Sequence, residues 1–246
     1  GALKNLGIET HVIEFAPMLM AEQLDQMGGE QLRRKIESMG VRVHTSKNTL
    51  EIVQEGVEAR KTMRFADGSE LEVDFIVFST GIRPRDKLAT QCGLDVAPRG
   101  GIVINDSCQT SDPDIYAIGE CASWNNRVFG LVAPGYKMAQ VAVDHILGSE
   151  NAFEGADLSA KLKLLGVDVG GIGDAHGRTP GARSYVYLDE SKEIYKRLIV
   201  SEDNKTLLGA VLVGDTSDYG NLLQLVLNAI ELPENPDSLI LPAHAG

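Results

Sequence analysis

The order of patterns between Gly7 and Gly40 constrains the fold more than any other feature of the chain. Residues 8–14 alternate as a strand does, Pro17 marks a turn, and Leu24, Met27, Leu32, Ile36 and Met39 then recur on one side of a helix. Gly40 supplies the helix exit, and Val41 and Val43 begin a second strand. Two strands joined through a helix run parallel, because an antiparallel pair needs only a tight turn whereas a parallel pair needs a crossover. A parallel α/β sheet is therefore expected in the first third of the chain.

The rhythm then changes. Residues 49–74 give short alternating runs with an Asp67-Gly68 turn between two of them, which reads as an antiparallel meander. Phe75-Ile76-Val77-Phe78 reads as a strand buried on both faces, stopping at Ser79-Thr80-Gly81. A polar crossing at residues 83–86, a strand at 102–104, a buried strand over 114–120 and an apolar helix over 135–147 follow. Residues 149–157, rich in small and acidic side chains, are the expected linker. Beyond it, strands near 162–165, 184–188, 193–200 and 207–213 surround a helix over 220–230. The glycine-rich run 166–173 joins no clear strand to a helix, which argues against a phosphate loop there. At 246 residues the chain is expected to divide into three parts, 1–80, 81–150 and 156–246.

Charge narrows the function. A formal net charge of -12 argues against a nucleic-acid surface, since phosphate binding depends on clustered Lys and Arg. No apolar run approaches the ~20 residues of a membrane span. Cys92, Cys108 and Cys121 are odd in number and form no C-x-x-C pair, which fits ordinary thiols in a reducing cytoplasm. Histidines 11, 44, 145, 176 and 244 lack ligand spacing, so no metal is expected. The opening Gly1-Ala2-Leu3-Lys4-Asn5-Leu6-Gly7 lacks an initiator Met and reads as a cut inside a helix of a longer protein.

Glu14 ends the first strand. In a dinucleotide fold a carboxylate there accepts hydrogen bonds from the adenosine ribose and repels a 2'-phosphate. Residues 15–20 contain no Arg or Lys to offset that repulsion, so NADH is favoured over NADPH. Taken alone, Glu14 reads better as a solvated strand-end acid, and its context favours the ribose reading. The glycine fingerprint would precede it by about 20 residues, and thirteen residues precede it here.

The segment Thr110-Ser111-Asp112-Pro113-Asp114-Ile115-Tyr116-Ala117-Ile118-Gly119-Glu120 resembles the second flavin motif of the FAD- and NAD-dependent pyridine nucleotide reductases. That resemblance implies that Thr110 opens the motif, Gly119 permits close approach, and Glu120 accepts hydrogen bonds from the ribityl chain of FAD. Glu stands where Asp is commoner. Ser79-Thr80-Gly81-Ile82-Arg83-Pro84 resembles the crossing that ends the nucleotide domain in the same families, which brings Thr80 and Gly81 to the cofactor. Ala133-Pro134-Gly135-Tyr136-Lys137 opens a helix whose counterpart faces the flavin pyrimidine ring; Lys137 would add to its positive field, and a solvent-facing lysine is the alternative.

Over its whole length the sequence is similar to the large-subunit family of bacterial assimilatory, NADH-dependent nitrite reductases of the sirohaem type. Residues 11–20, 115–122 and 208–215 carry that similarity. It implies an α/β flavoprotein reductase with two dinucleotide-binding domains, three-layered with partly parallel sheets and truncated at the N-terminus, followed by an α+β interface domain. FAD and NADH are the implied cofactors, and iron-sulfur centres and sirohaem belong to parts of the protein outside this chain. The implied partners are the remainder of the large subunit, a small subunit and a second copy in a homodimer. Hydride transfer requires no protein acid, so no catalytic side chain is assigned. Two other readings share these motifs: a stand-alone FAD-dependent reductase of rubredoxin or ferredoxin, and a non-catalytic docking module in residues 156–246.

Overall fold

The computed structural model describes residues 1–57 and 59–241, and His244 lies outside them. The chain forms two compact units, residues 1–76 with the chain from 159 onward, and residues 77–158. In the first unit, helix α1 (Ala2–Asn5) ends at Leu6, and Gly7 leaves it at φ +74°. Strand β1 (His11–Ile13) pairs in parallel with β2 (Arg42–His44), Val12 opposite Val43, through helix α2 (Gln26–Ser38). This is the expected crossover. Asp25 caps α2, its Oδ1 accepting the Gly28 amide at 3.0 Å. Gly28 costs helix stability, about 1 kcal/mol relative to Ala, yet a Cβ there would stand 3.0 Å from Val211 Cγ1. The glycine lets the helix lie close against a sheet.

Strands β3 (Thr49–Val53), β4 (Lys61–Phe65) and β5 (Glu70–Val73) form the expected antiparallel meander, with Gly68 at φ +80° in the turn between the last two. The strand expected at Phe75 to Phe78 does not form. Those residues join no ladder, and Phe75, Val77 and Phe78 are exposed. A strand buried on both faces belongs inside a sheet covered on both sides, and among the described residues β1 and β2 form a two-stranded sheet that this segment does not join. The boundary between the units falls inside this segment.

The second unit holds helix α3 (Lys87–Gln91), the parallel pair β6 (Ile102–Ile104) and β7 (Ala122–Trp124), and helix α4 (Val132–Ile146). Residues 114–120 are not the buried strand their composition suggests. Tyr116 makes an isolated bridge to Gln109, Ile115 and Ile118 are partly exposed, and the segment tightens into a 3-10 turn at Gly119–Cys121. The core gathers Ile104, Cys108, Phe129, Met138 and Phe153. Phe153 stands edge-on to Trp124 and Phe129, with ring centroids 5.2 and 5.6 Å away, so the expected linker is fastened to this core.

Strands β8 (Ala160–Leu164), β9 (Val167–Gly173), β10 (Arg183–Asp189), β11 (Ile194–Val200) and β12 (Leu207–Val213) build an antiparallel sheet in the order β10-β11-β12-β9-β8, followed by helix α5 (Tyr219–Leu227). The glycine-rich run is therefore a strand. A Cβ at Gly171 would stand 2.6 Å from the Gln23 carbonyl oxygen, so glycine serves close backbone approach there. Along β12, Val211 and Val213 join the core of Leu24, Leu32 and Ile36, while Ala210 and Leu212 join that of Leu222. Alternation on a doubly covered strand explains its unbroken apolar sequence. Residues 210–213 are thus core and not a free docking surface. Because α2 contributes to the same core, residues 159 onward pack with residues 1–76 and do not stand apart as a third compact unit.

Two polar clusters pin this unit. Asp25 Oδ2 accepts the Tyr195 hydroxyl at 2.6 Å and the Arg197 guanidinium at 2.9 Å, tying α2 to β11. Burial and then Asp25 push the Tyr195 phenol upward. Lys196, 5% exposed, reaches Asp215 and Asp218 at 2.7 and 2.6 Å.

Candidate functional site

The second unit assembles a site from three short stretches. Ile82, Arg83, Pro84 and Arg85 line an open cleft of about 420 Å3 together with Glu120 and Cys121. The third stretch is the start of α4. Ile82 Cδ1 lies 3.9 Å from the position of a Cβ on Gly130, just before the helix, and a Cβ on Gly135 would lie 3.2 Å from Gly119 Cα. Gly119 has φ +78°, a left-handed conformation that glycine adopts at no steric cost. Its amide donates to the sulfur of Met138 at 3.2 Å, and Met138 is fully buried. A buried α4 side chain thus fixes the turn that presents Glu120.

The start of α4 suits an electron-rich group. Its N-cap, Leu131, has no capping side chain, so the amides of Val132 and Ala133 lack a side-chain acceptor. The positive end of the helix dipole lies there.

Within the second unit, the residues singled out from sequence fall into three places. Gly119 and Glu120 form the turn at the cleft, and Thr80 and Gly81, exposed, lead into its wall, with Gly81 at φ +84°. Lys137 is exposed on α4, two residues beyond Gly135. Thr110 does not line the cleft. Its hydroxyl closes its own turn, donating to the Asp112 carbonyl at 3.1 Å and accepting the Asp112 amide at 3.2 Å. Arg83, which lies within the Ser79–Pro84 crossing, takes no role from sequence, nor do Arg85 and Met138, and the fold reveals their place.

Glu14 belongs to the first unit. It extends the β1–β2 ladder by donating its amide to the His44 carbonyl at 2.8 Å, and its Oε1 accepts the Ala16 amide at 2.8 Å. Its second carboxylate oxygen makes no hydrogen bond to the described residues. Beside it, His11 Nδ1 and His44 Nε2 stand 3.0 Å apart. Burial, then His11, Lys47 and Arg42, hold the His44 imidazole below its ordinary value.

Residues 1–145 match the family model described as pyridine nucleotide-disulphide oxidoreductase, more than half of the chain. The chain belongs to this family. Residues 159–230 of this oxidoreductase also match a model described as the rubredoxin NAD+ reductase C-terminal domain. The large subunit of nitrite reductase [NAD(P)H] from Klebsiella oxytoca is 57% identical over 245 residues, covering 100% of this chain and 25% of that protein. The assimilatory nitrate reductase electron transfer subunit of Bacillus subtilis is 35% identical over 247 residues, covering 99% of this chain and 31% of that protein. The chain thus spans about a quarter to a third of the length of these relatives. A pyridine nucleotide-disulfide family oxidoreductase from Enterococcus faecalis V583 superposes with a TM-score of 0.77 at 18% identity, covering 96% of this chain and 61% of that one, which establishes likeness of fold.

The three cysteines of this oxidoreductase are free thiols at separate places, with Cys92 exposed, Cys108 buried and Cys121 in the cleft lining. The donor set fits a flavin. Glu120 offers an acceptor for hydroxyls, Gly119 leaves room for close approach, and the uncapped start of α4 offers amides and positive potential to a ring that gains charge on reduction.

Proposed function

We propose that this chain is the electron-input part of an NADH-dependent nitrite reductase large subunit. Bound to this chain, FAD would supply the exchange of a hydride from NADH for single electrons, which iron-sulfur centres and sirohaem elsewhere in such an enzyme would use to reduce nitrite to ammonium. The observation that carries the reading is the convergence of the Ile82–Arg85 wall, the Gly119–Cys121 turn and the uncapped start of α4 on one site, in a chain whose full length aligns at 57% identity with the Klebsiella subunit. Glu120 holds ribityl hydroxyls, Gly119 and Gly135 keep the backbone clear, and α4 with Lys137 sets the field at the ring. Thr80 and Gly81 carry the chain across the cofactor, and Thr110 shapes the turn behind it. Glu14 holds the NADH ribose. By cofactor contact, residues 1–80 serve the nicotinamide nucleotide, 81–150 the flavin and 156–246 docking, a division that differs from the packing into two units. The remainder of the large subunit, the small subunit and a second copy are the partners, and the cytoplasm is the compartment.

A second reading draws on residues 159–230, whose match to the rubredoxin NAD+ reductase C-terminal domain favours a reductase of rubredoxin or ferredoxin. Both readings place flavin at the same turn.

Titration of the chain with FAD, followed by fluorescence quenching and the ~450 nm band of bound oxidised flavin, tests the assignment. Saturable binding that Glu120→Ala weakens supports it. Wild-type binding that is indifferent to Glu120→Ala refutes the site, and failure of both this chain and a longer chain containing the rest of the subunit to bind refutes the flavin reading.

A further inference from the structure

The five-stranded sheet has two edges, β8 and β10. The β8 edge carries Lys161 and Lys163, the kind of side chain that keeps an edge from pairing with another chain. The β10 edge has no such guard. Its seven residues contain no Lys, Pro or Gly, include the strand-favouring Tyr185, Val186 and Tyr187, and match β11 residue for residue without a bulge. Among the described residues no other strand or bridge pairs with its outer side. On one face Val186 and Leu188 are 49% and 42% exposed, while on the other Tyr185 and Tyr187 pack with Leu239 against the core of Leu222.

The order of residues along β10 selects its occupant. In an antiparallel pair of two β10 strands centred on Val186, Val186 faces Val186, Tyr185 faces Tyr187, Ser184 faces Leu188 and Arg183 faces Asp189 of the second copy. Arg183 is exposed and its side chain makes no ion pair or hydrogen bond among the described residues. At the other end Asp189 is held by the Ser191 hydroxyl at 2.6 Å and the Lys192 amide at 3.0 Å, with the Lys192 ammonium at 3.7 Å, the long end of an ion pair. Opposite charges directly across a strand pair are favourable, and the two-fold makes this contact twice. A shift of two residues either way places Arg183 opposite Tyr187 or Ser191 and loses both contacts.

We propose that β10 pairs with the β10 of a second copy of this chain, antiparallel about a two-fold axis at Val186, joining two five-stranded sheets into one. The inference rests on the reading that a second copy is among the partners and gives that copy a surface and a register; flavin and nicotinamide binding play no part in it. Seven paired residues make a contact about 24 Å long, well under a standard interface in area, so association is reversible and set by concentration.

Sedimentation of the chain across micromolar concentrations measures the association, and engineered cysteines read its register. Because Cys92 is exposed, the cysteines are placed in a Cys92→Ser background and linked peptides are identified by mass spectrometry. Val186→Cys should oxidise to a dimer linked through position 186 alone, since facing residues stand about 4.5–5.5 Å apart at Cα, within disulfide reach. Ser184→Cys should not link to itself, its twin being about 14 Å away along the strand, yet should link to Leu188→Cys when the two variants are mixed. Arg183→Glu, which sets two carboxylates against each other at both ends, and Val186→Lys, which sets two ammonium groups against each other at the centre, should each weaken association roughly tenfold. Both side chains are exposed, so circular dichroism of these variants should match wild type. A dimer that ignores both substitutions, or that links Ser184→Cys to itself as readily as Val186→Cys, overturns the β10 surface and leaves the second copy as a partner. A chain that stays monomeric throughout overturns both, and the flavin reading is untouched by either result.

Discussion

Replacing Lys196 with Met keeps an unbranched side chain on β11 and removes an ammonium held at 5% exposure between Asp215 and Asp218, 2.7 and 2.6 Å away. At an effective dielectric of ~20 each contact is worth about 4 kcal/mol before desolvation, and desolvation of the ammonium cancels several kcal/mol of that. Removing one partner of a buried pair typically costs ~3–5 kcal/mol. Here the two carboxylates are 35% and 34% exposed and can rehydrate, so the expected loss is about 2 kcal/mol. The pH dependence has a definite sign. Burial alone would raise the Asp215 carboxyl, but Lys196 and Ser217 hold it down to about 2 from the ordinary 3.8. A lowered carboxylate value contributes stability that is present above the unfolded value and lost as pH falls through the folded one. Lys196, depressed by burial but raised further by the same two acids, contributes stability that is complete below its unfolded value and lost at alkaline pH. The gap between wild type and Lys196→Met should therefore be widest near neutrality and close below about pH 4. Urea unfolding separates the two units: circular dichroism follows the sheets, whereas Trp124, the sole tryptophan, reports on the unit of residues 77–158. A loss of about 2 kcal/mol moves the dichroism midpoint by roughly 1 M urea. An unchanged midpoint, or a gap that widens on acidification, refutes the reasoning.

Tyr195→Phe removes one of the two side-chain donors to Asp25 Oδ2 and leaves Arg197 in place, so the same transition should fall by about 1 kcal/mol. Gly171→Ala drives a methyl to 2.6 Å from the Gln23 carbonyl oxygen, a backbone atom; a loss above about 2 kcal/mol is expected, in the range of overpacking, measured by the same urea titration. The Cys108 thiol, fully buried and pushed by burial up to about 11, should resist iodoacetamide at pH 8 in the folded chain while exposed Cys92 reacts, as peptide mass spectrometry will show.

Periodic side chains made part of this fold legible. Val12 and Val43 lie opposite each other because strand, helix and strand periods are clear on either side of Gly40, and the meander follows from its alternation and the Asp67-Gly68 turn. The β9 strand was hidden because glycines carry no side chain from which to read a period; their role shows only when Gln23 and Leu208 are seen against them. Phe75 to Phe78 misled because apolar composition reports a preference for burial without naming the neighbours that provide it. At the site, Gly119 and Glu120 were legible as a motif. Arg83 and Arg85 read only as part of a polar crossing, and the fold shows that they line one cleft with Glu120. Met138 is core, and its contact with the Gly119 amide shows that the core positions the site.

The most direct test of the flavin assignment is hydrogen–deuterium exchange of the chain with and without saturating FAD, read by peptide mass spectrometry. The account predicts slowed exchange in the peptides that hold the Gly119–Cys121 turn and the start of α4, and loss of that slowing in Glu120→Ala. Slowing confined to residues 1–76 or beyond 159, or slowing at the turn that Glu120→Ala leaves intact, would contradict it.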